Sequence, residues 1–94
     1  SIDQFLEVTR DRNVVAFEKK DDGRSCDLRV FEYPENPILL FGSEDDGVPK
    51  ELLAACSHVV TIPMWGLVNS LNVACAAGIA MYDFQAKALQ KNLR

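Results

Sequence analysis

The chain has 94 residues, which suits one small domain, since a second core usually needs more than about 150 residues. Hydrophobic residues make up 48% and charged residues 26%, a globular balance that excludes a disordered tail. Ten Lys and Arg against fourteen Asp and Glu leave a net charge of −4, which excludes general phosphate attraction as a route to nucleic acid. Any RNA or DNA contact must rest on a local site or on another segment.

Periodicity predicts alternating helices and strands, the pattern of an α/β domain with a parallel sheet. Ile2 to Arg10 reads as a helix with Ile2, Phe5, Leu6 and Thr9 on one face. Asn13 to Phe17 is a β-branched run and predicts a buried strand, ended by the polar loop Lys19 to Gly23. Ser25 is placed to cap a short helical segment through Leu28 and Phe31. Pro34 and Pro37 bound the next turn, and Pro37 to Gly42 is the clearest strand, apolar on both faces as a central parallel strand would be.

A polar loop follows, and Pro49 takes the first-turn position of a helix through Leu52, Leu53 and Ala55. His58 to Ile62 is a third strand, stopped by Pro63, and Met64 to Asn69 is a loop. From Ser70, a good N-cap, one helix is expected to run to about Gln90. Its first half is apolar almost all round, so it is expected to be buried early and to emerge only near Asp83. Lys87, Lys91 and Arg94 lie near its end, where cations suit the helix dipole.

The run from Leu67 to Tyr82 is interrupted by Asn69, Ser70 and Asn72 and is too short and too polar for a membrane span. Cys26, Cys56 and Cys75 form no disulfide framework and no zinc pattern, so a reducing, cytoplasmic setting and no metal are expected. The chain begins at Ser1 without an initiator Met or a signal segment, which points to a piece trimmed from something longer.

Two loops at strand carboxyl ends could carry chemistry, because open α/β sheets bind ligands there. In the first, Gly42 and Gly47 flank Glu44. The glycines either let the backbone approach a ligand, with positive φ, or merely form a sharp strand-to-helix turn among solvated acids. In the second, Ser70 and Asn72 open an apolar helix beside free N–H groups suited to polar ligand atoms. A simpler reading has Ser70 capping the helix and Asn72 bonding nearby backbone. Cys56-Ser57-His58 has only a superficial likeness to a nucleophile and base, since no third orienting group is evident. Asp45 and Asp46 read as a solvated pair and Trp65 as a packing aromatic.

Taken together, the two loops resemble a known family. Pro37-Ile-Leu-Leu-Phe-Gly-Ser-Glu-Asp-Asp-Gly-Val-Pro49 and Ile62-Pro-Met-Trp-Gly-Leu-Val-Asn-Ser-Leu-Asn-Val73 resemble the second and third motifs of the SpoU (TrmH-like) RNA 2′-O-methyltransferases of the SPOUT class. Order, spacing and the following Ala-rich helix are all similar, and Ile2 to Glu18 is similar to the preceding helix and strand.

The resemblance implies a parallel α/β sheet whose C-terminal helix threads a loop in a trefoil knot, an exception to the rule against knots. It implies S-adenosyl-L-methionine held by Phe17, Gly42, Ile62, Met64, Ser70 and Leu71. Glu44, Ser70 and Asn72 would organise the active site, RNA (tRNA or rRNA) would be the substrate, and the active form would be a homodimer. No counterpart of the family's first motif, with its Asn and catalytic Arg, is found, and Arg10-Asp11-Arg12-Asn13 lies too late to serve. Residues 1–94 are therefore expected to be a partial methyltransferase domain, binding the cofactor but inactive alone. A second reading keeps the fold as a non-catalytic RNA-binding or dimerisation module. A generic nucleotide-binding module fits less well, since no GxGxxG or GKS/T pattern occurs.

Overall fold

The computed structural model describes residues 1–18, 23–43, 46–63 and 73–92. Helix α1 (Ile2–Val8) opens with a reciprocal cap: Ser1 Oγ accepts from the Gln4 N–H at 3.2 Å, and Gln4 Oε1 accepts from the Ser1 amino group. It ends two residues before the expected Arg10, where the Thr9 hydroxyl donates to the Phe5 carbonyl at 2.8 Å.

Strands β1 (Val14–Phe17), β2 (Cys26–Asp27), β3 (Ile38–Phe41) and β4 (His58–Thr61) form one parallel sheet in the order β2-β4-β1-β3. β1 is buried throughout because its side chains alternate between two covered faces. Val15 and Phe17 join Val60, Leu28, Phe31 and Ala80 on one face, which helix α3 (Val73–Asn92) covers. Val14 and Ala16 join Val48 and Cys56 on the other, beneath α1 and helix α2 (Lys50–Ala55). The sheet is thus layered between helices, as the alternating pattern predicts.

The run from Pro37 to Gly42 was expected to be central, yet β3 pairs only with β1 and is half-buried at an edge of the described sheet. Its unbroken apolar run has another cause. Leu39 and Phe41 pack into one cluster while Ile38 and Leu40 pack into the other, so both faces are covered.

Ser25 does not begin a helix. Cys26 and Asp27 pair with Val60 and Thr61 on the open side of β4, and Asp27 caps the short 3-10 turn Leu28–Val30 by accepting from the Arg29 N–H at 2.8 Å. Pro49 likewise lies one position outside α2. With ψ at 143° it is extended, and its carbonyl accepts from the Leu52 and Leu53 N–H groups at 3.0 Å.

The largest departure concerns α3. Of its described residues only Ala80 is buried, and Ala74, Cys75, Gly78, Ile79, Met81 and Tyr82 are exposed, so the apolar first half is not enclosed by this chain. Lys87 does more than offset the dipole. Its ammonium donates to the Leu28 carbonyl at 2.6 Å and the Phe31 carbonyl at 2.8 Å, and pairs with Asp83 at 2.9 Å. Tyr33 completes this anchor, its hydroxyl donating to Asp83 at 3.0 Å and its ring meeting Phe31 and Phe84 edge-on.

Among the described residues no helix is long and apolar enough to cross a membrane. Residues 64–72, with the helix start expected at Ser70, lie outside the described residues.

Candidate functional site

In-register pairing aligns three strand ends. Phe17 lies opposite Phe41 on β3 and opposite Val60 on β4. The residues that follow are Glu18, Gly42 and Thr61, and Ile62 comes one position later at the same carboxyl end of the sheet. Gly42 and Ile62 thus lie at the same end of the sheet as Phe17. Phe17 itself is only 7% exposed, its ring 4.9 Å from that of Phe41. Ile62 is half-buried against the same cluster.

After Gly42 the chain doubles back. Ser43 and Gly47 form an antiparallel bridge, with the Gly47 N–H donating to the Ser43 carbonyl at 3.0 Å and the Asp46 N–H to Ser43 Oγ at 3.1 Å. This return brings Gly47 and Val48 against Gly42. A Cβ on Gly42 would lie 2.1 Å from the Gly47 carbonyl carbon and 2.3 Å from the Val48 nitrogen. Positive φ, expected of both glycines, belongs to Gly47 alone of the two, at +70°. Gly42 is required by close approach instead, and the approaching group is the chain's own backbone. Val48 then inserts its side chain into the α2-side core and fixes the loop's exit.

Glu18 joins these parts, and sequence reasoning passed over it. Its N–H donates to the Val60 carbonyl at 3.0 Å and its carbonyl accepts from Thr61 Oγ1 at 3.1 Å. Its carboxylate accepts from the Val48 N–H at 2.9 Å. The one available signal was position: an acid directly after a buried strand, at the ligand-binding edge of a parallel sheet.

Met64, Ser70, Leu71, Asn72 and Glu44 lie outside the described residues, as does Trp65. Asp46 is exposed, in keeping with a solvated acid. Among the described residues no three His, Cys, Asp or Glu side chains cluster as metal ligands would.

Cys56 and His58 do not form a nucleophile and base. The Cys56 thiol donates to the Leu52 carbonyl at 3.0 Å, and burial holds its pKa above the usual thiol value. His58 begins β4, at the sheet edge opposite Gly42, with its ring 5.4 Å from Phe31 and its Nδ1 buried without a partner. Ser57, between them, is used structurally, its hydroxyl donating to the Val14 carbonyl at 3.0 Å.

Residues 1–82 match the family model of the SpoU rRNA methylase family. The tRNA (guanosine(18)-2′-O)-methyltransferase of Thermus thermophilus is 38% identical over 80 residues, which are 85% of this chain and 40% of that protein. A solved structure concerned with 2-OH methylation of C/U34 on tRNA superposes with a TM-score of 0.81 at 36% identity, covering 96% of this chain and 57% of that one. An AdoMet-bound rRNA methyltransferase from Sinorhizobium meliloti gives 0.79 at 31% identity, covering 89% of this chain and 32% of that one. This chain thus spans well under two thirds of the length of each.

Proposed function

The chain belongs to the SpoU rRNA methylase family, and from that membership we propose that residues 1–94 form the cofactor-binding half of an RNA 2′-O-methyltransferase domain. The substrate is a ribose 2′-hydroxyl of tRNA or rRNA, and the methyl donor is S-adenosyl-L-methionine. The observation that carries this reading is the placement of Phe17, Gly42 and Ile62 along one sheet edge, behind a loop that folds back too tightly for any side chain at Gly42.

The residues present suit the donor. Ile62 offers apolar surface, the close approach of Gly47 and Val48 to Gly42 gives a wall of backbone, and Phe17, its side chain buried against Phe41, would act through its backbone. Met64, Ser70 and Leu71 would complete the contacts, by resemblance to the family's third motif. When bound, S-adenosylmethionine supplies a sulfonium methyl group, and transfer to the ribose oxygen leaves S-adenosylhomocysteine. The chain's task is alignment, since attack requires reacting atoms about 3–3.5 Å apart. Glu44, Ser70 and Asn72 are proposed to orient the hydroxyl and its departing proton at that place.

We further read the protein as a knotted, cytoplasmic homodimer. Cys75, Ile79, Tyr82, Ala86 and Leu89 recur at spacings of three and four along α3, and all are exposed. Such a stripe suits burial against a second helix. RNA capture needs cationic surface that a chain of net charge −4 does not supply in general. A partner subunit or further segment would provide it.

Two measurements test the reading. Titration of the chain with S-adenosylmethionine should show binding by calorimetry, and the complete gene product should transfer labelled methyl groups to unmodified tRNA or rRNA. Binding without transfer by the complete product would favour the non-catalytic RNA-binding or dimerisation module. Absence of binding would overturn the cofactor-binding reading and leave only the non-catalytic module.

A further inference from the structure

We propose that Glu18 is a positioning residue for the methyl-donor site, its carboxylate clamping the 42–48 loop to the carboxyl ends of β1 and β4. This rests on the methyltransferase reading above. The loop's path after Gly42 is set at one end by β3 and at the other by Val48, whose N–H needs an acceptor because the residue is buried at 4% exposure. Glu18 supplies that acceptor at 2.9 Å, an ionised oxygen and therefore a stronger partner than a neutral carbonyl.

The backbone of Glu18 is held twice on β4, through the Val60 carbonyl and the Thr61 hydroxyl. The carboxylate therefore reaches the loop from a fixed base. Gly47 makes room for it: a Cβ there would stand 2.7 Å from one carboxylate oxygen and 2.9 Å from the other. One residue, through its backbone and its carboxylate together, thus ties three segments on which Phe17, Gly42 and Ile62 stand. Glu18 need not touch the donor. It acts by holding the backbone wall of the site in one conformation before binding, so less ordering is required on binding.

The test compares Glu18→Gln, Glu18→Asp and Glu18→Ala in the full chain. Gln keeps an acceptor at the same reach, whereas Asp keeps the charge but is one methylene too short. Affinity for S-adenosylmethionine and for S-adenosylhomocysteine is read by calorimetry, and exchange of the Val48 amide is read with no cofactor present. Ala and Asp should weaken affinity for both by about tenfold or more, the worth of a lost charge-assisted bond, and should speed Val48 exchange. Gln, which keeps a neutral acceptor at full reach, should lose clearly less than Ala or Asp in both, and Val15 and Val60 amides should remain protected in every variant.

Wild-type affinity in Glu18→Asp, or loss in Glu18→Gln equal to that in Glu18→Ala, would overturn the clamp. So would unchanged Val48 exchange in Glu18→Asp. A wild-type chain that binds neither compound would instead sink the methyltransferase reading, while Val48 exchange would still decide whether Glu18 holds the loop. A residue that served only global stability would lower the unfolding midpoint without this Gln rescue of affinity.

Discussion

Gly42 and Gly47 approach so closely that a Cβ on Gly42 would lie 2.1 Å from the carbonyl carbon of Gly47. Backbone atoms cannot move aside as the end of a side chain can, so Gly42→Ala must open the Ser43 to Gly47 bridge. Overpacking of this kind costs about 1–3 kcal/mol. Gly42→Ala should therefore lower the unfolding free energy of the cofactor-free chain and weaken S-adenosylmethionine binding together. If the glycine served only to clear space for a ligand, cofactor-free stability would be unchanged.

Gly47 is constrained differently. Its φ of +70° costs an L-residue about 1–2 kcal/mol, and the group its Cβ would meet is the mobile end of Glu18. Gly47→Ala should thus destabilise by roughly that amount, plus whatever the displaced Glu18 bond to Val48 contributes. In a Glu18→Ala background the second part is already gone, so Gly47→Ala should cost less there. Additive costs in a denaturation double-mutant cycle would show that the two positions are uncoupled.

Strands β1, β3 and β4 were legible because each is a short apolar run punctuated by Pro, Gly or charge, whereas the two-residue β2, Cys26–Asp27, carries no such pattern and read as the start of a helix. Gly42 and Ile62 stood out through their motif, although the close backbone approach that Gly42 permits did not. No local pattern announces that a loop will fold back onto a glycine five residues away. Edge and centre could not be told apart at Ile38–Phe41, since an apolar run reports covered faces and not the number of paired neighbours. The exposure of α3 escaped for a related reason: an apolar run shows a tendency to burial, but not whether the rest of the described chain covers it. Glu18 was missed because its role lies in a contact with Val48, thirty residues on.

Lys87 spends three donors on fixed acceptors: the Leu28 carbonyl, the Phe31 carbonyl and Asp83. Lys87→Met keeps most of the stem's packing but takes the ammonium donor from the part-buried Phe31 carbonyl, while the Leu28 carbonyl still accepts from the Phe31 N–H at 3.2 Å. Unsatisfied buried groups cost about 1–3 kcal/mol, and the substitution should destabilise the chain by that order. Equilibrium unfolding in urea measures it. A change within experimental error would mean that water replaces the ammonium without loss.

Burial, and then the neighbouring Asp83 carboxylate, hold the Tyr33 phenol above its ordinary value of 10.0. The unfolded chain therefore releases this proton at a lower pH than the folded one. The resulting stabilisation is complete below the ordinary phenol value and is lost as pH rises through Tyr33's own raised value. Unfolding free energy should fall more steeply between about pH 10 and about pH 12 in the wild type than in Tyr33→Phe, which lacks the titrating group. Parallel slopes would show that Tyr33 contributes no linkage.

Tyr82 and Leu89 lie two helical turns apart on α3 and remain 68% and 62% exposed. With Cys75, Ile79 and Ala86 they form a continuous apolar stripe that no other part of this chain's described structure covers. Burying large apolar side chains is worth about 1.5–3 kcal/mol each, so a second copy that covers the stripe gains association energy from every residue on it. Replacing Tyr82 and Leu89 together by Asp would place unpaired carboxylates in that contact, where desolvation makes them costly. Because both positions face away from the sheet-side anchor at Ala80 and Lys87, the secondary structure of the chain should survive by circular dichroism. The expected outcome in sedimentation velocity is a dimer for the wild type and a monomer for the double variant. A wild-type chain that sediments as a monomer, or a double variant that still dimerises, would remove α3 from the interface.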